Sequence, residues 1–259
     1  VARYLDSVVA SGAAPGAVLG VSYRGRHYFH GAGRLGDDDA TVPDSATLYD
    51  LASLTKVIAL TTLAMEDVEA GRLTLDSSVA HYLPAFTLGA TPDSLAAHPP
   101  DRRAVTIRHL LTHSSGLPAW RPLYQETGTR GEALALADTT PLVAAPGTGF
   151  VYSDLGAILL TQILEQLGGA RLDTLFAERV ATPLGLADTR YLPPSSERQR
   201  IAPTENDPWR GRMLRGEVHD ENASRLDGVS GHAGLFGSAR DLVRFADWLI
   251  AVTHESSGG

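Results

Sequence analysis

Ser53 and Lys56 stand three residues apart in DLASLTKVIAL, residues 50–60. On a helix, that spacing puts both side chains on one face. A serine in a first helical turn sits beside free backbone N–H groups and the positive end of the helix dipole, which favour an anionic oxygen. Such a serine can attack a carbonyl carbon while its own N–H helps to hold the oxyanion. A lysine buried beneath it has its charge disfavoured and can accept the serine proton. An N-capping serine and a surface lysine fit the same spacing. Lys56 is nonetheless a lone lysine among arginines, on the side of the helix that carries Leu60 and Leu63.

A second group lies in GTGFVYSDLGAILL, where Tyr152 precedes the cap of a long apolar helix. A phenol near a lysinium loses its proton more easily, or relays one between Ser53 and a leaving group. Asp154 could hold a substrate amide or position Lys56. A Tyr-Ser-Asp turn with a capping role reads equally well here. Trp120 and Leu117 follow the HSSGLP turn and could wall an acyl pocket or simply pack.

Other patterns lead elsewhere or nowhere. Gly31 to Gly36 satisfies G-x-G-x-x-G, but three aspartates and a loop follow it, so phosphate would meet no helix dipole and the wrong charge. His109 and His113 are four apart, a zinc-holding geometry, yet no glutamate follows His109 and no third ligand is paired with them; capping or structural roles are expected. Gly228-Val-Ser-Gly-His232 misses the G-x-S-x-G elbow at its last position. Asn222-Ala-Ser224 fits a glycosylation sequon, a triplet frequent by chance.

These residues need elements to place them. A helix is predicted around 2–11, followed by β-runs at 17–23 and 27–32 about an Arg24-Gly25-Arg26 turn. Apolar residues at 54, 57, 58, 65 and 68 predict a helical stripe from Ser53 to Ala70, stopped by Gly71. GATPDSLAAHPPDRR reads as a surface loop and TIRHLLTH as a short helix. SDLGAILLTQILEQLGG reads as a strong helix capped by Ser153 or Asp154 and ended by Gly168-Gly169. A shorter helix is expected at 171–180, and PPSSERQRIAPTENDPWRGRM reads as loop. SARDLVRFADWLIAV is a helix with Ser238 as cap and Asp241 in the capping-box place.

The four segments SLTK, LLTHSSGLP, PGTGFVYSD and GVSGHAGLFGSARDLVRF, in that order, resemble the serine β-lactamase and penicillin-binding-protein superfamily. The closest branch is the class C-like one, with its carboxylesterases and D-alanyl-D-alanine peptidases. The likeness runs from about residue 5 to about residue 250. It implies an α+β, β-lactamase/transpeptidase-like fold, with an antiparallel sheet flanked by helices and a helical lobe at about 72–228. It implies Ser53 as acylated nucleophile, Lys56 as base and Tyr152 as proton-handling phenol; Asp154, Trp120 and Gly234 are the candidate substrate-binding residues. No metal or cofactor is implied.

The substrate would be an ester, a peptide or a β-lactam-like amide, and an extracytoplasmic place is favoured. The usual residue at position 154 is Asn; an ionised Asp accepts hydrogen bonds but cannot donate one, which argues for an esterase over a penicillin-style enzyme. A catalytically silent binding module is the rival from another class. His232-Ala-Gly234 resembles the superfamily's third motif, but a capped helix is expected directly after it, so His232 is read as a turn or packing residue. With only two β-runs in view, the sheet is expected to be completed by C-terminal strands missing from this chain, or by a second polypeptide.

Composition narrows the classes further. The chain has 259 residues, a formal charge of −8 and no cysteine. Disulfides, thiolate catalysis and Cys-based zinc sites are excluded, and nucleic acid or anionic membrane surfaces are poor partners for an acidic chain. No apolar run reaches the ~18 residues that suggest a membrane span.

Overall fold

A computed structural model describes residues 1–89 and 100–255, so most of the expected 89–103 loop lies outside the described residues. The chain falls into two compact units: Val1–Leu51, Ala177–His219 and Leu235–Gly259 form one, and Ala52–Phe176 with Asp220–Gly234 form the other.

The first unit opens with the helix Ala2–Ala10 and a hairpin of strands Gly16–Tyr23 and Arg26–Gly33, paired from Gly16↔Gly33 to Tyr23↔Arg26. Arg24 and Gly25 carry φ of 51° and 72°. Two successive positive-φ residues make the tight turn whose twist matches antiparallel strands. Among the described residues these two strands pair only with each other.

The expectation of only two β-runs is corrected. Leu235–Ser238 is the centre of a second, three-stranded sheet, between Leu48–Asp50 and Arg190–Tyr191, and Asn206–Asp207 pairs with Arg212–Met213. All four residues of LFGS are buried, so no alternation advertises the strand. Leu48, Phe236 and Ile201 form a core cluster there. Gly234 is therefore followed by a strand, and the helix begins only at Ala239. Ser238 Oγ does accept from Asp241 N–H, but the Asp241 carboxylate turns to the N–H groups of Asp188 and Thr189, so the reciprocal half of the expected capping box is not made. The expected loop after 192 also contains a 3₁₀ turn at Ser195–Arg200.

The second unit is helical. The segment after Ser53 runs as a π-helical stretch, Lys56–Thr61, into the α-helix Thr62–Glu69. Its buried residues are Lys56, Ile58, Ala59, Leu60, Thr62, Leu63, Ala64 and Asp67, while Leu54, Val57 and Met65 are exposed. Of the expected stripe, 54, 57 and 65 are wrong, Ile58 is buried as expected and Val68 is half-buried. The true one includes a lysine and an aspartate, which a hydrophobic count discards. Gly71, at φ 70°, ends the segment as expected.

The helix Asp154–Gly168 is the most buried of this unit, capped by Ser153 Oγ accepting from Gly156 N–H and closed by Gly169 at φ 67°. Ile107–Leu111 and Leu172–Phe176 are shorter helices of the same unit.

Candidate active site

Ala52, just before Ser53, holds φ at 45°, in the left-handed region that costs a residue with a side chain roughly 1–2 kcal/mol. The turn it makes is closed by Thr55 N–H to Ala52 O and Lys56 N–H to Ser53 O, both at 3.1 Å. Ser53 is exposed on this turn, at the mouth of the helix, where backbone N–H groups lack intrahelical acceptors. Strain of this kind collects at functional sites, as do π-helical turns such as the one that follows.

Lys56 is only 7% exposed. Its Nζ donates to Ser53 Oγ and to the His232 carbonyl, each at 2.9 Å. Asp154 Oδ1 lies 2.7 Å from the same nitrogen, an ion pair at angles short of a hydrogen bond. The Tyr152 ring centroid is 4.8 Å away, within cation–π range. Four expected site residues, Ser53, Lys56, Tyr152 and Asp154, are therefore brought together.

Tyr152 is held by two loops stitched side by side. Val151 N–H donates to His113 O at 2.8 Å, Ser153 N–H to His113 Nδ1 at 3.1 Å, Ser153 Oγ to Pro118 O at 2.7 Å, and Asp154 N–H to Ala119 O at 2.9 Å. Gly116 makes this closeness possible: at φ 80°, a Cβ there would stand 2.1 Å from Ala144 O. The His113 ring lies tilted against Tyr152, centroids 4.6 Å apart, and edge-on to Phe150 at 5.9 Å. Burial, then the nearby Lys56 charge, hold the His113 pKa below its ordinary value against the opposing pull of Asp154.

The two histidines weighed as zinc ligands thus spend their Nδ1 atoms as acceptors, His113 from Ser153 and His109 from Thr106 in a capping box. Trp120 and Gly234 are not drawn into the hydrogen-bonded cluster. Trp120 is half-exposed with its ring 6.4 Å from that of Tyr124, and Gly234 carries a φ of 127° that suits only glycine.

His232, expected as a turn or packing residue, is packed inside on a bend of the chain. It is 1% exposed, with Nδ1 2.8 Å from Ser230 Oγ and Nε2 2.9 Å from Asp220 Oδ1. Burial pushes the Asp220 carboxyl up, but the His232 ring, the Ala223 N–H and Lys56 together hold it down at about 2. Asp220 also caps the helix Glu221–Arg225. Asn222 of that helix donates to Arg121 O and accepts from Tyr124 N–H, and at 1% exposure it is no glycosylation acceptor. Sequence reasoning missed Asp220 and weighed Ser230 and Asn222 only as parts of a failed elbow and a sequon. The capping pattern of DENAS was a signal for Asp220, but nothing local announced its histidine partner.

This geometry can move a proton. As an ammonium, Lys56 donates to Ser53 Oγ and His232 O and closes the ion pair with Asp154. As a neutral amine, it can keep one N–H on His232 O, turn a second toward Asp154 and direct its lone pair to the Ser53 hydroxyl. The same cage serves both states, so transfer needs little reorganisation.

The sequence model of the family described as Beta-lactamase matches residues 1–257. An Escherichia coli (strain K12) protein, provisionally named a D-alanyl-D-alanine carboxypeptidase, is 34% identical over 220 residues, covering 76% of this chain and 49% of the relative. The esterase EstB of Burkholderia gladioli is 33% identical over 262 residues, covering 88% of this chain and 64% of EstB. The chain thus spans about half the length of the first of these relatives. Among solved structures, EstCE1, a hydrolase with promiscuous acyltransferase activity, superposes with a TM-score of 0.74 at 25% identity, over 94% of this chain and 70% of that one. A class C β-lactamase from Rhodobacter sphaeroides gives 0.74 at 26% identity, over 95% and 64%. The α+β architecture is that of the β-lactamase/transpeptidase-like fold.

Proposed function

The chain belongs to the β-lactamase family of serine hydrolases, and from that premise we propose that it is an esterase working through an acyl-enzyme on Ser53. The observation that carries this reading is the cage around Lys56 Nζ, with Ser53 Oγ and His232 O at 2.9 Å and Asp154 at 2.7 Å. Ser53 Oγ attacks the ester carbonyl carbon, its proton passes to Lys56 Nζ, and the carbonyl π pair moves to oxygen. When that pair returns, the bond to the alcohol oxygen breaks, and the proton is delivered to the leaving alkoxide through the Tyr152 phenol. Water then attacks the acyl carbon by the same route in reverse and frees Ser53.

Ester chemistry is favoured over amide chemistry by Asp154. Its carboxylate is committed to Lys56, and as an acceptor-only group it offers no N–H to a substrate carbonyl. An alkoxide also leaves more readily than an amine, so an ester makes the smaller demand on proton delivery. The likeness to EstB supports the same reading.

The test offers the protein a p-nitrophenyl ester, nitrocefin and a D-alanyl-D-alanine dipeptide side by side, with Ser53→Ala as control. Ester hydrolysis should dominate and vanish in Ser53→Ala. Turnover of nitrocefin or the dipeptide above that of the ester would reassign the enzyme to β-lactamase or peptidase chemistry.

A further inference from the structure

The cage around Lys56 has one wall that is neither a side chain nor near in sequence, the carbonyl of His232, 176 residues away. A backbone carbonyl is only as well aimed as the segment that carries it. Residues 230–233 are buried throughout, and three independent ties fix them. Gly231 N–H donates to Thr161 Oγ1 at 2.8 Å. A Cβ on Gly231 would meet Leu60 at 2.5 Å and Thr161 Oγ1 at 2.6 Å, so the backbone lies hard against both helices. The His232 imidazole is then anchored at both nitrogens, by Ser230 Oγ at 2.8 Å and Asp220 Oδ1 at 2.9 Å.

Packing alone would be served by an apolar side chain here. A buried ring with both nitrogens engaged specifies one orientation, because any other leaves a polar atom unpaired. Asp220 is itself fixed as the cap of Glu221–Arg225, accepting from Ala223 N–H at 2.7 Å, and cannot follow the ring if it moves.

We propose that His232, clamped between Ser230 and Asp220, is a positioning residue that aims its own carbonyl at Lys56 Nζ and thereby directs the amine lone pair to Ser53. This rests on the assignment of Ser53 and Lys56 as nucleophile and base. With the carbonyl held, one N–H of a neutral Lys56 is fixed on His232 O and a second turns toward the Asp154 carboxylate, which leaves the lone pair for Ser53 Oγ. With the carbonyl released, the amine rotates and the lone pair is shared among directions. The residue touches no substrate, so its loss slows acylation and leaves substrate binding alone.

A double-mutant cycle on the rate of labelling by a fluorophosphonate tests this in the intact protein. His232→Ala should slow labelling about 30-fold with Lys56 present, a fraction of the ~10²–10⁴-fold worth of a general base. In a Lys56→Ala background the same change should slow it less than about 3-fold, because a residue acting through Lys56 has nothing left to act on. In ester turnover kcat should fall with KM unchanged. His232→Gln, which can return an amide N–H to Asp220, should recover most of the rate. If His232→Ala does not fold, Ser230→Ala removes one anchor from the same ring and carries the same cycle, with a smaller but equally Lys56-dependent loss. Equal losses in both backgrounds would overturn the proposal and leave the Ser53–Lys56 assignment standing. Labelling indifferent to Lys56→Ala itself would overturn that assignment instead.

Discussion

Removing Asp154 tests whether the Lys56 cage is an electrostatic device or a by-product of packing. Lys56 and Asp154 form an ion pair at 2.7 Å with side chains 9% and 21% exposed. Breaking a buried pair from one side costs about 3–5 kcal/mol, because the remaining charge stays behind unpaired. Asp154 is reached by some water, and Lys56 keeps two other acceptors, which places Asp154→Ala at the lower end, about 3 kcal/mol. For a chain of this size each kcal/mol moves the melting midpoint by about 2–4 °C, so a fall of about 6–12 °C is expected. Calorimetry on the wild type, Asp154→Ala, Lys56→Met and the double variant completes the cycle. The double variant should be more stable than the sum of the single losses by about 1 kcal/mol or more, since it leaves no orphaned charge. Additivity within about 0.5 kcal/mol would refute the reasoning and make the contact an incidental one.

Two further outcomes follow from the loops that hold Tyr152. The His113 pKa is depressed in the fold, so its neutral form is the native one. Its contribution is full above the unfolded value of ~6.5 and is lost as pH falls below that toward the folded value; melting curves between pH 7.5 and 5.5 should drop more steeply for the wild type than for His113→Gln, and parallel curves would contradict the assignment. Gly116→Ala must place a Cβ 2.1 Å from Ala144 O at φ 80°. It should cost at least about 2 kcal/mol and slow ester hydrolysis by parting the two loops, whereas an active variant of wild-type stability would show that the loops are not held at this point.

What the sequence made legible was what local chemistry determines. Two β-rich runs about the Arg24-Gly25-Arg26 turn marked the hairpin, and Ser153 or Asp154 with Gly168-Gly169 bounded the long helix near its observed ends. The Leu235–Ser238 strand was hidden because it is short, buried on both faces and paired with Leu48–Asp50, nearly two hundred residues earlier. The buried face of the Ser53 helix was misread because the π-helical stretch shifts its phase and because Lys56 and Asp67 lie on the inside. Ser53, Lys56, Tyr152 and Asp154, which the fold brings together, were singled out from their motifs, since each reports on its own neighbours. Asp220 and Ser230 were not, because their meaning depends on a histidine that is itself intelligible only beside Lys56.

Acylation of Ser53 with Lys56 as its base is the step on which the proposed esterase rests. Mass spectrometry of the protein quenched during turnover of a slow ester, followed by peptide mapping, addresses it most directly. One acyl group per chain is expected, carried on Ser53, absent in Ser53→Ala and accumulating far more slowly in Lys56→Ala. An acyl group on any other residue, or hydrolysis that continues undiminished in Ser53→Ala, would contradict it.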